Sequence, residues 1–214
     1  MKKLLFALIC FIATISVIAQ TKSAHLTKFY LSCGGGPANH NGAFAEFAAT
    51  AAINKSWTAS VSYNTVNMDP KNLPSNYEPG YTLLLIFPIP DAMPSQEMRL
   101  LNFTVGKMFE TGRTTWFTAE GGLSVASGKS YQFTAQDVKS DWFYTTSNYS
   151  TEKKSQTTIG GAIRTDFNWA FCPFAGMGIG AFANLNSIQS PIGFELKLTA
   201  GWLNTKRKLF ERNY

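Results

Sequence analysis

Residues 172–186 read CPFAGMGIGAFANLN. Within them, Gly176-Met177-Gly178-Ile179-Gly180-Ala181 comes close to the G-x-G-x-x-[G/A] turn that holds a pyrophosphate. Such a turn must open a helix, because the helix N-terminus carries the phosphate. Here Phe182-Ala183-Asn184-Leu185-Asn186 leads instead into turn residues at 187–191, and no amphipathic helix follows. A β-strand accounts for the same letters. Ala175, Met177, Ile179, Ala181 and Ala183 share one face, and Gly176, Gly178 and Gly180 share the other. Phe174 and Phe182 have the glycine parity and are expected to cap the row at its two ends. Glycine weakens a strand interior, so three in register predict that bulky neighbours need the space. Arg164 on the preceding strand and Glu195 and Lys197 on the next are the candidates. No cofactor is expected.

The strand reading extends outward to the whole chain. From 191 to 203, Ile192, Phe194, Leu196, Leu198, Ala200 and Trp202 alternate with Gly193, Glu195, Lys197, Thr199 and Gly201. Further period-2 runs lie near 27–35, 43–53, 57–66, 98–109, 114–126 and 157–168, which with 172–186 makes eight strands. Their polar faces are mostly Gly, Ser, Thr and Asn with few lysines or glutamates, whereas a water-facing sheet carries more charge. Charged residues are 15% of the chain, against about 25% in an average soluble domain. The apolar faces are therefore assigned to the outside. The connectors also alternate: Gly36–Gly42 moderate, Asn54–Ser56 tight, 67–96 long, Glu110–Arg113 tight, 127–156 long, Asn168–Phe171 tight, Asn186–Ser190 short to moderate. Short turns at one end and longer loops at the other are the pattern of an all-β, eight-stranded, antiparallel, up-and-down transmembrane β-barrel with its N-terminus on the periplasmic side.

Targeting agrees. Met1-Lys2-Lys3 followed by an apolar run to Ile18 has the form of a secretory signal, with cleavage expected between Ala19 and Gln20. The domains are then residues 1–19, a signal peptide, and 20–214, an outer-membrane barrel with a basic periplasmic tail at 204–214. Losing Lys2 and Lys3 lowers the formal net charge of +6 by two. Cys10 leaves with the signal; Cys33 and Cys172 alone make neither a disulfide framework nor a metal site. Trp57, Phe109, Trp169 and Trp202 fall at the short-turn ends and predict an aromatic girdle, with Lys55, Lys107, Arg113 and Lys206 near the same rim. Lys107 breaks the apolar face, which a bulge or a rim position would explain.

The chain resembles small eight-stranded outer-membrane barrels of the OmpA and OmpX type. It looks most like Bacteroidota barrel proteins, through the signal end Val17-Ile18-Ala19-Gln20, the loop Asn72-Leu73-Pro74-Ser75-Asn76-Tyr77-Glu78-Pro79-Gly80 and the late strand Gly193-Phe194-Glu195-Leu196-Lys197-Leu198. That resemblance covers the mature chain and implies an architecture, not an activity. Gly193, Leu196 and Leu198 are similar to the last-strand signal read by the barrel assembly machinery, although the tail from Asn204 to Tyr214 departs from the usual aromatic end.

For function, the lumen is expected to hold Lys28, Glu46, Glu120, Arg164, Asp166, Glu195 and Lys197. An eight-stranded interior is just wide enough to be filled by side chains, and buried charges must pair. An ion-paired plug is the leading reading, with Lys28–Glu195 the first guess at a pair; a polar conduit is the other. His25 and His40 are the only histidines, and beside Ser124 and Ser127 they identify no nucleophile or catalytic residue. The 127–156 loop mixes Tyr131, Trp142, Phe143 and Tyr144 with Lys129, Lys139, Lys153 and Lys154, a composition suited to glycan or lipopolysaccharide contact. The run Tyr81–Pro88 either extends a strand or packs over the barrel mouth. The expected protein is a non-enzymatic outer-membrane barrel, structural or surface-binding through loops 67–96 and 127–156. Its partners are outer-membrane lipids, lipopolysaccharide, the barrel assembly machinery and an unknown external ligand, with no nucleic acid. A narrow pore, a soluble lipocalin-like binder and an outer-rim lipid-modifying enzyme stay open as alternatives.

Overall fold

A computed structural model describes residues 26–203, apart from 55, 85–86, 91–92 and 142. The signal segment 1–19, His25, Lys55, Trp142 and the tail 204–214 with Lys206 lie outside the described residues. Eleven strands follow in chain order: β1 Leu26–Ala38, β2 Gly42–Ile53, β3 Trp57–Met68, β4 Tyr81–Leu84, β5 Phe87–Pro90, β6 Gln96–Glu110, β7 Thr115–Ala135, β8 Tyr144–Thr145, β9 Tyr149–Cys172, β10 Ala175–Leu185 and β11 Ile192–Trp202. Eight of them close a barrel in the order β1-β11-β10-β9-β7-β6-β3-β2. Every neighbouring pair is antiparallel, and β1 closes on β11 from Phe29↔Trp202 to Ala38↔Gly193.

The alternation read from the sequence decides which side each residue takes. On β11, Phe194, Leu196 and Leu198 point outward at 70%, 58% and 60% exposure, while Glu195, Lys197 and Thr199 are buried in the lumen. On β2, Phe44, Glu46, Ala48 and Thr50 point in and Phe47 points out. The outer surface is thus apolar and the interior polar at mid-height, the reverse of a soluble barrel.

The connectors differ from the sequence reading in three places. The first is shorter: three residues, 39–41, join β1 to β2, with His40 and Asn41 at φ 54° and 51° and the Gly42 amide donating to the Asn39 carbonyl at 3.1 Å. Positive φ at both central residues matches the right-handed twist of a hairpin. The residues from Gly36 to Ala38, which read as loop, continue the ladder opposite Phe44, Ala43 and Gly42. The sixth connector lies later, at Pro173-Phe174, because β9 runs to Cys172. Phe174 therefore sits in the turn, 69% exposed, and does not cap the glycine row. Between Ala175 and Gly176 the register slips by one, because β9 carries an extra residue there, Phe171.

The largest difference concerns the fifth connector. The β7–β9 ladder continues past the barrel from Ser127↔Thr157 to Ala135↔Tyr149, so the stretch outside that ladder shrinks to 136–148. Lys129 to Ala135 and Tyr149 to Gln156 keep pairing because backbone hydrogen bonding needs no buried face, and their side chains are mostly exposed. From the third connector, β4 and β5 join β8 of the fifth in a separate three-stranded sheet ordered β5-β4-β8. The Tyr81–Pro88 run thus makes its own hairpin and lengthens no barrel strand.

Candidate functional site

Along the lumen, side chains stack in layers. At the tight-turn end Tyr30, Ala52, Met108, Trp116, Ala170 and Leu203 form an apolar plug. Trp116 is 1% exposed, and its ring meets Tyr30 edge-on at 5.8 Å. Toward the loop end a second plug gathers Phe44, Val66, Met68, Met98, Leu100, Ala126, Phe182 and Ile188. There the Phe44 and Phe182 ring centroids are 4.3 Å apart. Large apolar residues fit inside at these heights because their strands supply them on the inward parity.

Between the plugs lies a charged belt. Arg164 on β9 reaches across to Glu46 on β2, the strand opposite it in the ring, at 2.7 Å. The same guanidinium holds Asp166 through Nε at 2.8 Å and lies 3.6 Å from Glu195. Lys197 pairs with Asp166 and, at 3.1 Å, with Glu195. Glu120 is held by hydroxyls: Ser60 donates at 2.9 Å and Thr104 at 2.7 Å. Every one of these charges is buried, so each needs the partner it has. Lys28 stands apart from the belt. Its Nζ meets Glu110 at 3.2 Å and the Leu203 carbonyl at 3.1 Å, and lies 5.0 Å from the Trp116 ring centroid. The Lys28–Glu195 guess therefore fails on register: β1 and β11 are neighbours, but Lys28 lies beyond Phe29↔Trp202, near one end, whereas Glu195 sits well up β11.

Beside the belt is an amide layer that the sequence reading missed. Asn184 donates to Asn102 at 2.8 Å and to Ser124 at 2.9 Å, and Asn102 donates to Ser62 at 3.1 Å. Asn102 is buried on the inward parity of β6, but nothing in a sequence says which inward amides meet. The glycine row makes this packing possible. A Cβ on Gly178 would come within 2.6 Å of Asn168 Oδ1, and one on Gly180 within 2.8 Å of Glu195 Oε1 and against Asp166. The neighbours using the space are thus Asn168, Asp166 and Glu195, while Arg164 stands opposite Phe182. One cavity, bounded by Glu46, Asn64, Asn102, Arg164 and Asn184 among others, has about 10 Å³. That is room for one water at most.

The rims complete the picture. Trp57, Phe109, Trp169 and Trp202 are all exposed on the outer face at the tight-turn end. Lys107 lies in that girdle, its Nζ 3.6 Å from the Trp57 ring centroid, which is how a lysine occupies the apolar face without a bulge. At the loop end, Tyr131 is buried and donates to the Ser95 carbonyl at 2.7 Å, while Phe143 and Tyr144 are exposed. The two long connectors are tied together. Asn148 accepts from the Glu78 amide at 2.8 Å and donates to the Asn76 carbonyl at 2.6 Å, and Tyr149 donates to Asn76 at 2.9 Å. Tyr77 packs against Phe133 and Tyr149. His40 is exposed in its hairpin turn, and Ser124 is bound into the amide layer. Among the described residues no cluster of His, Cys, Asp and Glu is arranged to hold a metal.

A closed ring of eight antiparallel strands with a plugged lumen and an apolar outer wall is comparable with solved structures. The crystal structure of Neisserial surface protein A aligns over 85% of this chain and all of that one, at a TM-score of 0.51 and 14% identity. The fold is a transmembrane β-barrel. The N-terminal barrel domain of Pseudomonas aeruginosa OprF aligns over 84% of this chain and 100% of that one, with a TM-score of 0.48 and 9% identity. Ail of Yersinia pestis, solved with the heparin analogue sucrose octasulfate, aligns over 81% and 96%, with a TM-score of 0.46 and 8% identity. No family model and no curated protein matches the chain. At such identities the likeness shows the fold alone.

Proposed function

We propose that this chain is a non-enzymatic barrel protein of a Gram-negative outer membrane, exported by residues 1–19, whose closed body anchors an external platform. The observation that carries the reading is the three-tier filling of the lumen: an apolar plug at either end and an ion-paired belt between them. Such an interior supports an anchoring role over a pore, because passage of an ion would require breaking every tier. The platform is the β7–β9 extension with the docked 69–95 connector, which displays Phe143 and Tyr144 to the outside. Surface binding through these connectors, with lipopolysaccharide and an external ligand as partners, fits that display. The Bacteroidota likeness rests on sequence motifs alone.

Fractionation tests the location. The mature protein should appear in the outer-membrane fraction and migrate faster on a gel when unheated; recovery as a soluble periplasmic protein would end the reading. Planar-bilayer recording tests the role. Refolded protein should give no steady ionic current, and a reproducible conductance would favour the pore.

A further inference from the structure

At the loop end, on the outer wall, lies a groove of about 550 Å³. Its floor is Ala43 and Ala45 of β2 with Thr65 and Asn67 of β3, all on the outward parity. Its overhang is Lys129 and Tyr131, where β7 runs beyond the barrel. The Tyr131 hydroxyl fixes that overhang by donating to the Ser95 carbonyl at 2.7 Å. Just toward mid-barrel the same two strands turn bulky and apolar, with Phe47 and Tyr63 facing out. The groove therefore opens where an apolar wall gives way to small and polar side chains. Its charge is lopsided. The one acid lining it, Glu97, is engaged by Arg99 at 3.0 Å. Lys129 has no ion-pair partner among the described residues, and Lys153 lies 5.6 Å from the Tyr131 ring centroid beside it.

We infer that this groove binds one phosphorylated, anionic lipid of the surrounding leaflet, with its headgroup under Lys129 and its chains running down past Phe47 and Tyr63. This rests on the membrane reading proposed above. A phosphate complements the unpaired ammonium, and the volume falls in the range of small-molecule sites. The alanine floor lets a headgroup approach the wall, and the apolar surface below continues into the acyl region without burying a charge in it. A lipid with no net charge would leave Lys129 uncompensated.

The test is native mass spectrometry of the mature barrel in detergent, supplied with phosphatidylglycerol or with phosphatidylcholine of the same chains. One phosphatidylglycerol per barrel should survive a delipidating wash, and phosphatidylcholine should not. Lys129→Gln should lower that retention at least ten-fold, and Ala45→Phe, which fills the floor from the lipid side, should abolish it. Equal retention of the two lipids, or retention unchanged in Lys129→Gln, overturns the proposal. Complete displacement by millimolar inorganic phosphate also overturns it, since the site would then take a free anion. Heat-modifiable migration of each variant reports the fold separately, so its loss in wild-type protein would fail the membrane reading and not the groove.

Discussion

Arg164 is the residue on which most of the interior depends. Its guanidinium faces three carboxylates, on β2, β9 and β11. Arg164→Met would leave Lys197 as the only cation of the belt beside Glu46, Asp166 and Glu195, and removing one partner of a buried pair costs about 3–5 kcal/mol. The urea midpoint of the variant refolded in vesicles should fall sharply. Lys28→Met should cost less, about 2 kcal/mol, because Glu110 is partly open to solvent and remains hydrated. If the two variants unfold together, the belt does not carry the stability ascribed to it. Gly178→Leu should impair folding, because its first side-chain atom already conflicts with Asn168. Refolding yield on a gel checks this, and a normal yield would show that the strands can part there. The inward parity of every belt residue could be read from the sequence, since a period of two fixes sides. Their partners could not, because Arg164 and Glu46 meet through the hollow of a ring whose closure no local pattern encodes.

At the level of elements, β7 and β9 stand out. The β9–β10 ladder ends at Gly161↔Leu185, while β9 continues pairing with β7 as far as Tyr149. From Ser150 to Gly160, β9 therefore presents an edge to which no strand is paired among the described residues. Exposed edges invite pairing with other chains, and lysines are a common guard against it. Lys153 and Lys154 lie in the middle of this edge. Replacing both with Val should raise self-association of the detergent-solubilised protein in sedimentation velocity, at unchanged heat-modifiable migration; a persistent monomer would show that the lysines guard nothing. This extension was not legible in the sequence. Residues 127–156 lack the apolar stripe that marks a buried strand, and polar residues such as Lys129, Ser130 and Gln132 read as loop. The clean alternations on β2 and β11, by contrast, were fixed by lipid on one side and a packed lumen on the other.

For the whole molecule, three tiers seal one channel, and any one of them should suffice. Trp116→Ala and Phe182→Ala, each opening a single plug, should therefore both stay silent in planar bilayers. Steady current from either would locate the seal in one plug alone. The number of barrel strands, their direction and the sidedness of the wall followed from sequence periodicity and connector lengths. The sealing did not, since it depends on which inward residues come to the same height, and strand tilt sets that. The way the ring closes also has a consequence in time. Its seam joins Phe29 to Trp202, nearly the whole described chain apart, and contacts so distant form slowly. Glu195 and Lys197 arrive on that final strand, so until it docks Asp166 lacks its lysine and the Arg164–Glu46 bridge has no closed space to span. Charge neutrality inside the barrel is thus a late event, and an incompletely zipped chain is held back from settling by its own unpaired interior.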